Sequence, residues 1–168
     1  VTGACATFLY NLKAATHDIT SGRSRVVLVG NSEAPITPEV IDGYHAMSAL
    51  ASDENLLSLD QSDQVDHRRA SRPFGENCGF ILSESAQYLV LMSDDIALEM
   101  GANIHGSVEE VFICADGFKK SISAPGPGNY ITLAKAVTSA KSKLGERCIQ
   151  NNSFVQAHGS STPQNRVS

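Results

Sequence analysis

An α/β layered fold is what this sequence predicts, and three observations predict it. Apolar residues recur at spacings of three and four in separate stretches, the period of helices with one covered face. Short β-branched runs without polar alternation stand between them, as strands covered on both faces do. The chain of 168 residues, 42% apolar with 13 glycines and 6 prolines, has the size of one globular domain and is too apolar to be disordered.

In chain order, Phe8, Leu9, Leu12, Ala15 and Ile19 put one apolar stripe on a helix over residues 5–20, which Ser21-Gly22 ends. Val26-Val27-Leu28-Val29 reads as a buried strand. Thr37-Pro38-Glu39 offers an N-cap with proline at the first helical position, and Val40, Ile41, Tyr44, Met47 and Leu50 carry a second helix to about Leu50. Residues 51–73 are polar, with Asp60, Asp63 and Asp66 ahead of His67-Arg68-Arg69, and read as a long solvated loop of functional or interfacial use. Residues 79–82 and 88–92 read as paired strands, 94–100 as a short helix closed by Gly101, and 104–115 as one long strand. Pro125-Gly126-Pro127-Gly128 breaks regular structure, after which Ile131, Leu133, Ala134, Val137 and Ala140 give a helix and residues 154–157 a last strand. The strand that should precede the first helix is missing or confined to residues 1–4, so the chain reads as an excerpt of a larger fold.

Net charge is -5, from 13 basic and 18 acidic side chains, which offers no broad field for a phosphate backbone and argues against nucleic acid. No apolar run reaches the roughly 20 residues of a membrane span, and Val-Thr-Gly-Ala-Cys has no basic leader, so a cytoplasmic chain is expected. Charged residues are only 18%, which leaves less charge than usual to cover the surface and predicts self-association or a partner. Cys5, Cys78, Cys114 and Cys148 lie far apart without a CxxC pair, and His17, His45, His67 and His105 have no ligand spacing, so no metal site is expected.

Two residues carry chemistry by position. Cys5 follows Gly3-Ala4 at the start of a predicted helix, where the positive end of the dipole favours thiolate and free amides can receive an oxyanion. The other reading of Cys5 is a small buried hydrophobe. His158 ends an apolar run and opens His158-Gly159-Ser160-Ser161-Thr162, where an imidazole can donate to a carbonyl and hydroxyls can hold an extended polar ligand. Its other reading is a solvated turn histidine.

Several segments, in order, resemble the β-ketoacyl synthase family, the condensing enzymes of fatty-acid and polyketide synthesis with the thiolase fold. Gly3-Ala4-Cys5-Ala6-Thr7 resembles the nucleophile motif, and Arg72-Pro73-Phe74 with Gly79-Phe80-Ile81-Leu82-Ser83-Glu84-Ser85-Ala86 resembles the Pro-Phe and Gly-Phe-x-x-x-Glu segment. Ala157-His158-Gly159-Ser160-Ser161-Thr162-Pro163 resembles the first-histidine motif, and the match runs over essentially the whole chain. Within the family, residues 115–121 and the stretch ending at Tyr130 look most like ketosynthase domains of bacterial polyunsaturated fatty-acid synthases.

The resemblance implies a partial thiolase-like fold with helices layered on a mixed sheet, residues 1 to about 105 ending the N-terminal half and about 106 to 168 starting the C-terminal half. It implies that Cys5 takes an acyl chain and that His158 assists decarboxylation of malonyl on an acyl carrier protein. Ser160 and Thr162 would bind the phosphopantetheine arm, which arrives with the substrate, so no resident cofactor is expected. Glu84 matches an acidic residue of structural use or paired with the family's active-site lysine, its other reading being a buried paired carboxylate. Asn77-Cys78 stands where the family commonly has Arg-x, and Ser83 and Ser85 replace glycines around Glu84. The family's second histidine, its lysine and its glycine-rich loop have no counterpart in these residues, so reduced or absent activity alone is expected. Partners implied are the carrier protein, malonyl and acyl thioesters, and a second copy or the remainder of a synthase. The competing reading is a binding module that keeps an acyl or pantetheine groove for docking. Lys119 and Lys120 could face an acidic carrier protein or merely solvent.

Overall fold

A computed structural model describes residues 2–118 and 126–165 of the chain. Its helices are α1 (Thr7–Thr20), α2 (Pro38–Ala46), α3 (Asp53–Asp60), α4 (Asp94–Glu99), α5 (Gly128–Leu144) and α6 (Glu146–Asn151), and its strands β1 (Val26–Glu33) and β2 (Ser85–Met92). Single 3-10 turns stand at Ala4–Ala6, His67–Arg69 and Pro163–Asn165. The chain divides into two compact units, one of residues Val1–Ser32 and Ala86–Phe154, the other of Glu33–Ser85 and Val155–Ser168. The α/β class predicted from the sequence holds.

In the first unit, β1 and β2 form a two-stranded sheet. Ser93 N–H donates to Arg25 O at 2.9 Å just beyond one end, and Tyr88 lies beside Gly30 and Ser32 towards the other, so the strands run antiparallel. The inner stripe of α1, Leu12 and Ala15, packs on Val29 of β1 with Phe8, Val27, Leu91 and Val111 around them. His17 stands in the last turn of α1, where a cation suits the dipole. Arg25, just ahead of β1, bonds Asp95 at 2.9 Å and Glu99 at 3.4 Å, tying the sheet to α4. Asp116 accepts the Gly128 N–H at 3.0 Å and so caps α5, whose Ser139 and Lys143 reach Glu110.

The second unit holds α2 and α3. Thr37 has the extended backbone of an N-cap ahead of Pro38, yet its side chain makes no cap bond. Ser52 does cap α3, accepting the Asn55 N–H at 3.3 Å. Leu50 and Phe80 form one parallel bridge, and the Tyr44 and Phe80 rings meet edge to face with centroids 5.0 Å apart. Leu56 and Ala70 are buried.

Several local expectations are corrected. β1 is longer than residues 26–29 and is not covered on both faces, since Leu28 is 65% exposed while Val29 is 4% exposed. Strand β2 pairs with β1, whereas residues 79–82 contribute only the Phe80 bridge. Residues 104–115 and 154–157 are strand-like in sequence but join no ladder among the described residues, and a strand exists only by pairing. The stretch 51–73 is not one loop but contains α3 and the His67–Arg69 turn. The second helix ends at Ala46, and α6 follows a helix that runs past Ala140 to Leu144. Thr2 and Gly3 form no strand, and Val1, Lys119, Lys120, Ser121 and Pro125 lie outside the described residues. Among the described residues no helix is long and apolar enough to cross a membrane.

Candidate functional site

Cys5 is the middle residue of the Ala4–Ala6 turn and is exposed. The turn leads straight into α1, so the thiol sits at the dipole's positive end as the spacing predicts. Thr7 fastens the turn from both sides: its hydroxyl accepts the Gly3 N–H at 2.9 Å and donates to Ala4 O at 2.7 Å. Ala4 has φ +48, a left-handed backbone that an alanine adopts at a cost of about 1 kcal/mol or more. Strain of this kind gathers at functional turns. The apolar stripe of α1 anchors the helix, and Cys5 projects from its free end.

The second unit assembles the histidine segment from distant chain. Residues 72–75 form a turn closed by Gly75 N–H on Arg72 O at 3.2 Å, with Pro73 second and Phe74 third at φ +63, the type II pattern in a place that favours glycine. Gly159, at φ +55, lies against that turn, where an added β-carbon would stand 2.9 Å from Pro73 Cβ and 3.0 Å from Phe74 Cε2. Arg72 N–H donates to Ser161 Oγ at 2.8 Å. The Arg72-Pro73-Phe74 and His158-Gly159-Ser160 segments, singled out separately in the sequence, therefore meet. His158 itself is exposed at the mouth of this loop.

Ser160 and Thr162 hydroxyls lie 2.9 Å apart, and Asn165 Nδ2 donates to Ser160 Oγ at 2.7 Å. Because Ser160 Oγ accepts from Asn165, the Ser160 proton is left for Thr162 or for a ligand. Such a group of hydroxyls can bond the amides of an extended arm. Glu84 is exposed and accepts the Ile36 N–H at 3.2 Å, so it is a local brace rather than a buried carboxylate.

Sequence reasoning missed three participants. Asp60 was assigned to a solvated loop, yet its carboxylate takes Arg72 Nη1 and Nη2 at 2.6 and 2.5 Å, with both side chains largely covered. The Arg72 guanidinium holds the Asp60 carboxyl below the usual carboxylate range. Asn165 had no signal beyond its place two residues after Pro163. The α3 helix that ends at Asp60 did have one, Ser52 followed by Asp53 and Glu54 ahead of Leu56. All four thiols are free, Cys78, Cys114 and Cys148 being half-buried, and burial pushes the Cys78 thiol up. Among the described residues no three His, Cys, Asp or Glu side chains gather as a metal site.

Residues 1–97 match the family described as beta-ketoacyl synthase, N-terminal domain. Over 167 residues the chain is 66% identical to beta-ketoacyl-[acyl-carrier-protein] synthase FabY of Pseudomonas aeruginosa, covering 99% of this chain and 26% of that protein. It is 30% identical over 162 residues to 3-oxoacyl-[acyl-carrier-protein] synthase 2 of Staphylococcus aureus, 95% of this chain and 36% of that one. The crystal structure of the noncanonical ketosynthase FabY from P. aeruginosa superposes with a TM-score of 0.95 at 66% identity, covering 99% of this chain and 26% of that one. A type II polyketide ketosynthase in complex with its acyl carrier protein, bound to a hexaketide, matches with a TM-score of 0.69 at 27% identity over 96% of this chain and 37% of that one. The chain thus spans about a quarter to a third of the curated relatives' lengths, 26% and 36% in the two cases given.

Proposed function

This chain belongs to the β-ketoacyl synthase family, and we propose that it supplies the nucleophile and the first histidine of a decarboxylative Claisen condensation. The Cys5 thiolate attacks the carbonyl of an acyl thioester, and the tetrahedral intermediate expels the pantetheine thiolate, which takes up a proton. The Cys5 amide, at the positive end of α1, faces the oxyanion. A malonyl thioester on the carrier protein then loses carbon dioxide, and the electron pair of the broken C–C bond passes to an enolate whose oxygen accepts from His158. The enolate carbon bonds the acyl carbon, Cys5 leaves as thiolate, and a β-ketoacyl thioester lengthened by the two malonyl carbons that remain after carbon dioxide is lost departs.

The observation that carries this reading is the assembled loop, in which Gly159 and Ser161 are gripped by residues 72–75 while the side chains of Ser160, Thr162 and Asn165 form one hydrogen-bonded cluster. Ser160 and Thr162 hold the phosphopantetheine arm, which comes with the carrier protein. Glu84 braces the start of the second unit. Residues up to about 105 end the N-terminal half of the thiolase fold, and those from about 106 begin the C-terminal half. The exposed β2 side chains Tyr88, Leu89 and Val90 suit a second copy or further chain of a cytoplasmic synthase.

The test is intact-protein mass spectrometry after incubation with an acyl-pantetheine thioester. Acyl mass on Cys5, absent in Cys5→Ser, upholds the reading. Equal acyl mass on wild type and Cys5→Ser overturns the nucleophile assignment, and if pantetheine binds with no acylation of either protein, the docking-module reading takes its place.

A further inference from the structure

The grip on the His158 loop extends well beyond Ser161. That serine has φ +65, is 3% exposed, and takes the Arg72 N–H on its hydroxyl at 2.8 Å. Arg72 in turn engages every polar group it has. Its carbonyl accepts from Gly75 N–H at 3.2 Å and from Asn77 Nδ2 at 3.1 Å, its Nε donates to Arg69 O, and its two terminal nitrogens meet both oxygens of Asp60. Such a fork fixes the guanidinium in direction as well as distance.

Asp60 is the last residue of α3, where the helix dipole disfavours a carboxylate. Local helix physics therefore does not account for it, whereas the pairing with Arg72 does. A continuous series of directional bonds runs from the end of α3 through Arg72 to Ser161, between the hydroxyls of Ser160 and Thr162.

We infer that Asp60 and Arg72 are positioning residues that, acting through Ser161, hold the His158–Thr162 loop in the form that accepts a pantetheine arm. The inference rests on the proposed function for the arm and adds which residues set its site. Asp60 and Arg72 do not touch the arm.

The experiment uses the full 168-residue chain as wild type, Ser161→Ala, Asp60→Asn, Asp60→Glu and the double variant, with backbone amide exchange followed with and without added pantetheine. In the wild type, pantetheine slows exchange at residues 158–162. Ser161→Ala and Asp60→Asn each speed exchange there and weaken pantetheine binding about tenfold, the factor one neutral hydrogen bond carries. The double variant goes no further than the worse single one, because the bonds act in series. Asp60→Glu recovers part of the loss.

Each other outcome is decisive. Wild type without pantetheine protection overturns the proposed arm site, and this inference with it, before any variant is compared. Wild type protected and Ser161→Ala binding equally well overturns the inference alone. Acceleration spread evenly over α2, α3 and the loop shows a plain loss of stability and also overturns it. Should Asp60→Asn fail to fold, Ser161→Ala and Asp60→Glu decide the matter.

Discussion

Phe74 lays the edge of its ring against Gly159, so that a β-carbon added at Gly159 would stand 3.0 Å from Phe74 Cε2. Gly159→Ala therefore meets both a left-handed backbone and a neighbour that must shift. Gly22, at φ +73 with nothing within 4 Å of its added β-carbon, isolates the backbone part. Gly22→Ala should lower stability by about 1–2 kcal/mol. Gly159→Ala should lower it further, read as a lower urea midpoint at unchanged slope. Equal midpoints for the two variants would mean the Phe74 contact is slack.

On β1, neighbouring side chains meet opposite surroundings. Val29→Ala removes buried methyl groups from the α1 packing and should cost about 2 kcal/mol. Leu28→Ala, at an exposed position, should stay within about 0.5 kcal/mol. Comparable losses at both sites, measured by urea unfolding of the intact chain, would contradict the one-sided strand.

Cysteine labelling should follow exposure and burial. With iodoacetamide and peptide mass spectrometry at neutral pH, Cys5 labels first because it is exposed. Cys78 labels last, and its rate rises only at higher pH, because burial pushes its thiol up. Matching rates for Cys5 and Cys78 at pH 7 would sink this ordering.

Acid should weaken the second unit through Asp60. Its carboxyl titrates below the ordinary value because Arg72 bonds the charged form, so the pair's contribution is complete above about pH 4, the unfolded value, and is lost as pH falls through the lower folded one. The stability gap between wild type and Asp60→Asn should shrink as pH drops from 5 towards 2. Urea midpoints across that range measure it, and a constant gap would exclude this titration as the cause.

The sequence made some parts of the fold plain and left others hidden, for physical reasons. A helix writes its period into contiguous residues, so α1, α4 and most of α5 could be read from Leu12, Ala15, Gly101 and Val137. Strands depend on partners that the segment itself does not name, which is why residues 104–115 looked like a strand and join no ladder among those described. At the site, Cys5, His158, Ser160 and Thr162 stood out because each has a chemical type and a motif around it. Asp60 looked like one solvated carboxylate among three, since only the fold brings it to Arg72. Ser161 stood within the histidine motif with no role of its own, and its hydroxyl acquires a partner only when residue 72 arrives from 89 positions away.

That separation bears on the order of events during synthesis. The second unit is made of two stretches, residues Glu33–Ser85 and Val155–Ser168, with Ala86–Phe154 of the other unit inserted between them. The Arg72 turn emerges from the ribosome long before Ser161 exists, so its strained Phe74 must wait for Gly159. Bringing ends that lie 89 residues apart together carries a chain entropy of about 4 kcal/mol if the intervening chain is loose. Prior folding of the inserted segment shortens that effective loop. The histidine loop is therefore expected to lock last, on a scaffold already built, and a nascent chain stopped before residue 155 should leave the Arg72 turn open to protease.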